Sequence, residues 1–346
     1  MDQYLNGKNT INTINSPFSI SLVIGCIFDD IDMCKKILGG LGQNLDYLDE
    51  IICVISNVPQ EQLDDLTTLP EKLQLSKKLF VYVFNQVLLP GEARNYCIKQ
   101  STSNYLAFLD ARTIPENNWL SNACEILKSN NKLAILGRTR YIWSSTFEEC
   151  FIASTYGQKA LITIPGMVIN KALFCKIGFF IPSLRSGEDG EWIERARYFS
   201  KKLKDQNMIP LRYENIKGKT FLELCRKWYE NYSNNSVKLL IYQKQRYLYI
   251  LFFAGLLVST ALSWNNNIAG WDQDYFLFIP HISKITVTSL ALIYFAFRVF
   301  IIPFKKGIKI FKIGPKKIIF IFLISFTLDI IKTLAFFRAS IKSDSG

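Results

Sequence analysis

Histidine is nearly missing from this chain. Its 346 residues hold one, His281, so the first two thirds of the sequence have no histidine to serve as acid, base or metal ligand. Cysteine occurs eight times between Cys26 and Cys225, with no C-x-x-C pair and no regular spacing. That pattern excludes a zinc ribbon or a disulfide framework and suits reduced thiols in a cytosolic compartment. The opening segment MDQYLNGKNTINTINSP has no apolar run, so it reads as neither a signal peptide nor an anchor. Residues 1–16 are expected to be a disordered polar N-terminus, with the domain that follows on the cytosolic side. Acidic residues are the minority, 29 against 41 Lys and Arg, for a net charge of +12. Lys305, Lys306, Lys309, Lys312, Lys316 and Lys317 crowd one short connection between two apolar runs, as the flanks of membrane spans do. A nucleic-acid module would spread its cations over a folded face, so no nucleic-acid partner is expected.

Residues 17–220 have a mixed globular composition. Ser19–Phe28, Ile51–Ser56, Leu79–Phe84 and Tyr105–Leu109 are short apolar runs, rich in β-branched residues and separated by helical patterns. This alternation predicts an α/β domain of βαβ units with a mainly parallel sheet. Lys132–Trp143 is a further strand, with Arg138 and Arg140 on one face; a solvated strand face is the simpler reading of those two cations. In open α/β sheets, ligands lie at the carboxyl ends of the strands. That rule singles out Asp110 with Arg112 as site instead of surface. Two readings of Asp29 and Asp30 stand side by side, helix capping and donor contact.

Two stretches carry a more specific pattern. From Leu89 to Leu120 the chain reads LPGEARNYCIKQSTSNYLAFLDARTIPENNWL: a helix opening on Gly91, Ala93, Arg94 and Asn95, a buried strand ending on Asp110, and a second helix begun by Pro115 and Trp119. The free N–H groups of the first helix start are suited to an anion. From Ile164 to Arg197 comes a second pattern, with Gly187-Glu188-Asp189 opening a helix that carries Arg195. A carboxylate at a helix N-terminus is held ionised, as a base requires, although an ordinary capping carboxylate looks the same in isolation.

In this order and spacing the two stretches resemble the family 2 glycosyltransferases of the GT-A fold. The resemblance implies a Rossmann-like, mainly parallel mixed sheet and sugar transfer from a nucleotide sugar, most naturally with inversion. It makes Asp189 the catalytic base with Glu188 and Arg195 beside it, and Arg94, Asn95, Asp110, Arg112, Ser56, Asn57 and Asp30 the donor pocket. Such enzymes usually carry Asp-x-Asp after the strand, the second carboxylate binding a divalent metal. This chain has Asp110-Ala111-Arg112. Two readings follow. Arg112 pairs with the diphosphate in place of the metal, or Asp110 with the diphosphate oxygens still holds Mg²⁺ or Mn²⁺.

Beyond Met208 the pattern loosens. Phe221–Tyr232 and Val237–Arg246 mix cations, aromatics and aliphatics, so residues 221–246 read as interfacial linker helices, or as helices bringing Arg226, Lys227 and Trp228 to the acceptor cleft. Residues 247–340 form a membrane domain. Tyr247–Trp264 is uncharged and about 27 Å long as a helix. Ile285–Ile302 is interrupted near its end by Arg298, and Ile318–Phe337 contains Asp329 and Lys332 one turn apart. The positive-inside rule predicts a multi-pass protein of the plasma (inner) membrane with its catalytic domain cytoplasmic and two to three spans. Membrane lipids and a lipid-linked saccharide or glycolipid acceptor are the partners this implies, in cell-surface polysaccharide assembly. A polyprenyl-phosphate glycosyltransferase, an inactive GT-A-like scaffold and a transporter subunit working as a homo-oligomer are the alternatives.

Overall fold

The computed structural model describes residues 18–129, 133–199, 208–214, 216, 219–233, 251–258, 282–310 and 313–343. The expectations for residues 1–16, for Val237–Arg246 and for the connection carrying His281 lie outside the described residues, as does most of Tyr247–Trp264.

The centre of the first domain is an eight-stranded sheet ordered β3-β2-β1-β4-β7-β6-β8-β5. The strands are β1 (Ile20–Ile27), β2 (Glu50–Ser56), β3 (Leu79–Phe84), β4 (Tyr105–Asp110), β5 (Thr113–Ile114), β6 (Ala134–Tyr141), β7 (Leu161–Asn170) and β8 (Leu211–Tyr213). β1 pairs in parallel with β2 and β4, and β2 with β3, while β7 runs antiparallel to both β4 and β6. The mixed, mainly parallel sheet expected from the alternating pattern is therefore present.

Helices cover both faces, which is why the central strands are apolar without interruption. The helices are α1 (Ile31–Gly39), α2 (Leu63–Thr67), α3 (Leu69–Lys72), α4 (Pro90–Gln100), α5 (Trp119–Ser129), α6 (Thr146–Ser154), α7 (Lys171–Ile177), α8 (Glu188–Phe199) and α9 (Phe221–Tyr232). Ile20, Leu22, Ile24 and Cys26 of β1 point to one side, where Ile37 and Leu38 of α1 and Trp119 and Leu120 of α5 complete a core. Val23 and Phe108 point to the other, against Ala93 and Cys97 of α4, Phe174 of α7 and Trp192 of α8. This alternation follows from the two-residue period of a strand.

Three local expectations need correction. The helix after β4 starts at Trp119, four residues later than Pro115, because Asn44 Oδ1 accepts from Leu120 N at 3.0 Å and Trp119 is fully buried. The first turn of α4 is covered instead of open to an anion: a Cβ on Gly91 would come within 3.1 Å of Ile181 O and of Phe180 Cβ. The short strands β5 and β8 were not anticipated, since two or three residues carry no readable period.

The remaining described elements are a helical segment at 251–258 (α10), α11 (Ile282–Ala296), a π-helical turn at Phe297–Ile301, α12 (Ile302–Lys305) and α13 (Pro315–Ser343). Thr288–Lys305 and Pro315–Ala339 are each long and apolar enough to cross a membrane, by length and composition. Leu292, Ile293, Phe304, Ile319 and Leu334 on them are exposed, a surface suited to lipid. The same helices also pack on the sheet domain. Phe151 of α6, Leu224 of α9 and Val299, Ile321 and Leu328 share one core. Gly157, at φ +80°, lets the chain pass so close to Lys306 that a Cβ would meet Lys306 Cβ at 2.3 Å. Gln158 N and Lys159 N both donate to Lys306 O, at 2.9 and 3.0 Å.

Candidate active site

β1, β4 and β7 end or begin at one edge of the sheet, and α4 and α8 open beside them. Arg94 in the first turns of α4 is the hub. Its side chain is 4% exposed, and its Nη1 donates to Asp189 Oδ1 at 2.6 Å and to Glu188 Oε1 at 3.2 Å. Its Nη2 donates to Asp110 Oδ1 at 2.8 Å. One guanidinium thus gathers carboxylates from the end of β4 and the start of α8, the fork geometry for which arginine is suited. The Phe180 ring lies 5.5 Å below its Cζ.

The electrostatics follow from burial and from three carboxyl groups meeting one cation. Burial would depress the Arg94 pKa, but Asp189, Asp110 and Glu188 hold the guanidinium firmly charged. Burial, then repulsion from Asp189, pushes Glu188 up to about 8 against the pull of Arg94, so it carries its proton at neutral pH. Asp189 is also raised, by burial and by Asp110, with Arg94 opposing. Glu188 is closed off, whereas the side chains of Asp110 and Asp189 keep 25% and 28% of their surface. The two open carboxylates are therefore reachable from solvent, and the closed one is not.

A second, cationic group lies next to the first. Arg112 Nε donates to Asp30 Oδ2 at 2.9 Å, and its Nη2 bonds the other oxygen of the same carboxylate. Burial disfavours ionised Asp30, yet Arg112, with Lys219 and Lys227 close by, holds its carboxyl below the usual carboxylate range. Burial and the neighbouring Lys219 and Arg112 push Lys227 of α9 down to about 8. The backbone contributes too: Glu214 N donates to Arg112 O at 3.0 Å beside the β5–β8 pair, which brings Tyr213 near Arg112. Tyr213 packs edge-on against Tyr141 at 4.9 Å, and Tyr141 stacks on Tyr156 at 3.8 Å.

The structure brings together Arg94, Asp110, Glu188 and Asp189, and separately Arg112 and Asp30. Other expected site residues sit differently. The Asn95 amide both donates to Phe180 O at 2.8 Å and accepts from Phe180 N at 3.0 Å, so it clamps the loop before α8 instead of facing a donor. Arg195 is engaged with Glu191 and with the carbonyls of Ile177 and Phe179, at 3.0 and 2.9 Å for the latter two. It positions the loop after α7 and is turned away from Asp189. Ser56 Oγ donates to Cys26 O at 3.4 Å, which ties β2 to β1. Asn57 is exposed at the strand end with φ 59°, a conformation asparagine tolerates. Tyr213 and Lys219 carried no sequence signal, because neither lies in a motif.

Whether these residues make a metal site turns on the donor set. Asp110 Oδ1 is already taken by Arg94, and a guanidinium replaces the second carboxylate at 112. Among the described residues, no three His, Cys, Asp or Glu side chains converge to hold a metal ion. The residues present do not form a protein cage for Mg²⁺ or Mn²⁺.

Residues 35–186 match the family model described as glycosyl transferase family 2, a stretch that includes Arg94, Asp110 and Arg112 and ends two residues before Glu188. No curated protein matches the chain. Among solved structures, the mannosyltransferase PcManGT from Pyrobaculum calidifontis, in complex with GDP-Man and Mn²⁺, is similar with TM-score 0.53 and 12% identity, over 92% of this chain and 91% of that one. S. aureus TarS is similar with TM-score 0.43 and 15% identity, over 63% of this chain; the chain spans 40% of that TarS chain's length. TarS 1-349 in complex with UDP-GlcNAc gives TM-score 0.44 and 13% identity, over 94% and 92%. Residues 35–186 therefore match glycosyl transferase family 2, on a sheet domain of the GT-A fold.

Proposed function

We propose that the chain is a membrane-bound inverting glycosyltransferase, moving one sugar from a nucleotide-sugar donor to a lipid-linked saccharide or glycolipid in cell-surface polysaccharide assembly. The observation that carries this reading is the Arg94 hub, which draws Asp110, Glu188 and Asp189 to one end of the sheet. Two lobes of opposite sign meet there. The acidic lobe suits deprotonation of an acceptor hydroxyl; the cationic lobe of Arg112, Lys219 and Lys227 suits a diphosphate leaving group.

In the reaction, Asp189 takes the proton of the acceptor hydroxyl as its oxygen attacks the anomeric carbon. The bond from that carbon to the diphosphate oxygen breaks, and the nucleoside diphosphate leaves. Its two electrons settle on the phosphate oxygens, against Arg112 and Lys227. The raised pKa of Asp189 makes it a stronger base than an ordinary aspartate. Glu188, keeping its proton, donates no further negative charge to the pocket. Arg94 sets the position of Asp189 and so acts through it. Asp110, together with the diphosphate oxygens, is the carboxylate that would hold a divalent ion; the steps above are those of the chain's own side chains.

GDP-Man and UDP-GlcNAc, held by the similar structures, are the natural first donors to try. The two long apolar helices support membrane attachment, and the contact of Lys317 Nζ with Glu149 at 2.6 Å supports a lysine-rich connection on the catalytic side of the bilayer, cytoplasmic by the positive-inside rule. The test is donor hydrolysis and transfer by detergent-purified full-length protein across a panel of nucleotide sugars, with EDTA or with added Mg²⁺ or Mn²⁺. Turnover of one donor, lost in Asp189→Asn, is the expected result. A protein that binds and turns over no donor would instead be a scaffold.

A further inference from the structure

The eight-stranded sheet ends differently on its two sides. At one edge stands β5, only Thr113–Ile114, too short to template another strand. At the other stands β3, six apolar residues (LFVYVF) paired on one side with β2. Natural sheets guard such an edge with a charge, a proline or a bulge, because its free N–H and C=O groups accept a further strand. β3 has none of these guards. It contains no charged residue and no proline, and its register with β2 runs unbroken from Ile51 and Leu79 to Ser56 and Phe84.

The backbone bonds locate the open groups. Lys78 O accepts from Ile51 N at 2.7 Å and Phe84 O from Val58 N at 3.1 Å, so residues 78, 80, 82 and 84 turn their peptide groups toward β2. Successive residues of a strand face opposite sides in the plane of the sheet, which turns Val81 and Val83 outward. Leu79 N is already taken by Leu75 O at 2.8 Å, whereas among the described residues no backbone group bonds Val81 or Val83 on the outer side. Burial agrees. β1, β2 and β4 are buried almost throughout, but in β3 Phe80 is 47% exposed and Val81, Tyr82, Val83 and Phe84 are only half-buried. Phe80, Tyr82 and Phe84 share one face by the two-residue period, and there Tyr82 and Phe84 meet the Tyr96 ring edge-on at 5.2 and 5.0 Å.

We propose that the outer edge of β3 is a dimer interface: the β3 strands of two copies pair antiparallel about a two-fold axis and join both sheets into one. With Val81 and Val83 as the outward residues, the symmetric register sets each Val81 against Val83 of the second copy, exchanging both backbone bonds. Tyr82 then faces its own mate and Phe80 faces Phe84, at the positions where cross-strand side chains come closest. The ends of the strand are complementary as well. Lys77 and Lys78 fall opposite Val87 and Gln86, so no like charges meet. Exposed Glu61 is held beside the far end by the bond from Asn85 Nδ2 to Gln60 Oε1 at 2.8 Å, and supplies the opposite charge for exposed Lys77 of the second copy. This self-complementarity selects a second copy over an unrelated strand, and two-fold pairing closes the edge. The inference rests on the sheet alone and is independent of the sugar chemistry.

The test is native mass spectrometry of full-length protein in neutral detergent at micromolar concentration, where the wild type should appear at twice the chain mass. Val81→Pro removes an outward N–H and spares the ladder to β2; Phe80→Lys sets a charge on the exposed rim. Each should weaken the dimer roughly 10- to 100-fold. Phe80 is half exposed, so its variant stays informative if the proline unfolds the strand, and the fluorescence of buried Trp119 and Trp192 reports folding in both. Register is read by cross-linking with diamide. Tyr82→Cys, about 4.5 Å from its mate between Cα atoms, should give a covalent dimer, whereas Val87→Cys, roughly 30 Å from its own, should not. Cys175, exposed in the native chain, sets the background in the wild type. A monomeric wild type, a dimer unmoved by both edge variants, or equal cross-linking at 82 and 87 would overturn the proposal.

Discussion

Replacing Arg94 with methionine removes the guanidinium that three carboxylates share, and the cost should depend on pH in a defined way. At 2.6, 2.8 and 3.2 Å, Asp189, Asp110 and Glu188 all lean on this side chain, which is almost fully buried. Removing one partner of a buried ion pair costs about 3–5 kcal/mol, mostly because the charges left behind stay desolvated. The sign follows from linkage. Without Arg94 the pKa values of Glu188 and Asp189 in the folded protein rise further above their unfolded values of about 4. Stability of the variant is then fully present below about pH 4 and is lost as pH rises through the raised folded values. The gap to wild type should therefore be about 3–5 kcal/mol at pH 8 and shrink to about 1–2 kcal/mol near pH 4.5, where protonation has discharged most of the anions. For a domain of this size that corresponds to a Tm difference of roughly 6–20 °C at pH 8. Trp119 and Trp192 are both fully buried in the sheet domain, so intrinsic fluorescence of the full-length protein in detergent reports its unfolding. A destabilisation of equal size at pH 4.5 and pH 8 would refute the argument and make Arg94 a packing residue.

Asp189→Asn should cut transfer by about 10²–10⁴-fold with little change in donor affinity; near-normal turnover would place the base elsewhere. Glu188→Gln should stabilise the protein, because a carboxyl held at about 8 when folded loses stability as pH rises from about 4.5 to 8. The gain should be on the order of 2–4 kcal/mol at pH 7.5 and vanish near pH 4, and unfolding curves at the two pH values decide it. Lys227→Gln should weaken donor binding roughly 10-fold, and wild-type affinity should fall as pH rises through about 8, where Lys227 loses its proton. A pH-independent donor Kd between 7 and 9 would show that Lys227 does not meet the diphosphate.

How much of this was readable beforehand can be traced residue by residue. β1 to β4 were legible because a strand buried on both faces needs a short, uninterrupted apolar run, and the helices between them dictate parallel pairing. Arg94, Asp110, Glu188 and Asp189 were legible as members of two motifs, but not as one cluster. Arg94 lies 16 residues from Asp110 and 95 from Asp189, and their meeting depends on β4 pairing with both β1 and β7. Asn95 and Arg195 had the right neighbours in the chain and a different occupation in space. Each lies beside backbone groups of the 177–180 loop that need partners, and buried polar backbone is rarely left without them.

Arg112 illustrates the division most clearly. The sequence by itself determined that a guanidinium stands where a metal-binding carboxylate is usual, and that apolar helices follow the sheet domain. Only the tertiary structure decided that Arg112 is held by Asp30, that Lys219 and Lys227 approach the same place, and that Asp329 ties Arg298 to Lys332 within the helices. Local pattern encodes which residues are buried and which element they form. Which charges meet is set by strand order and helix packing, through contacts that span up to 168 residues of chain, as from Lys317 to Glu149.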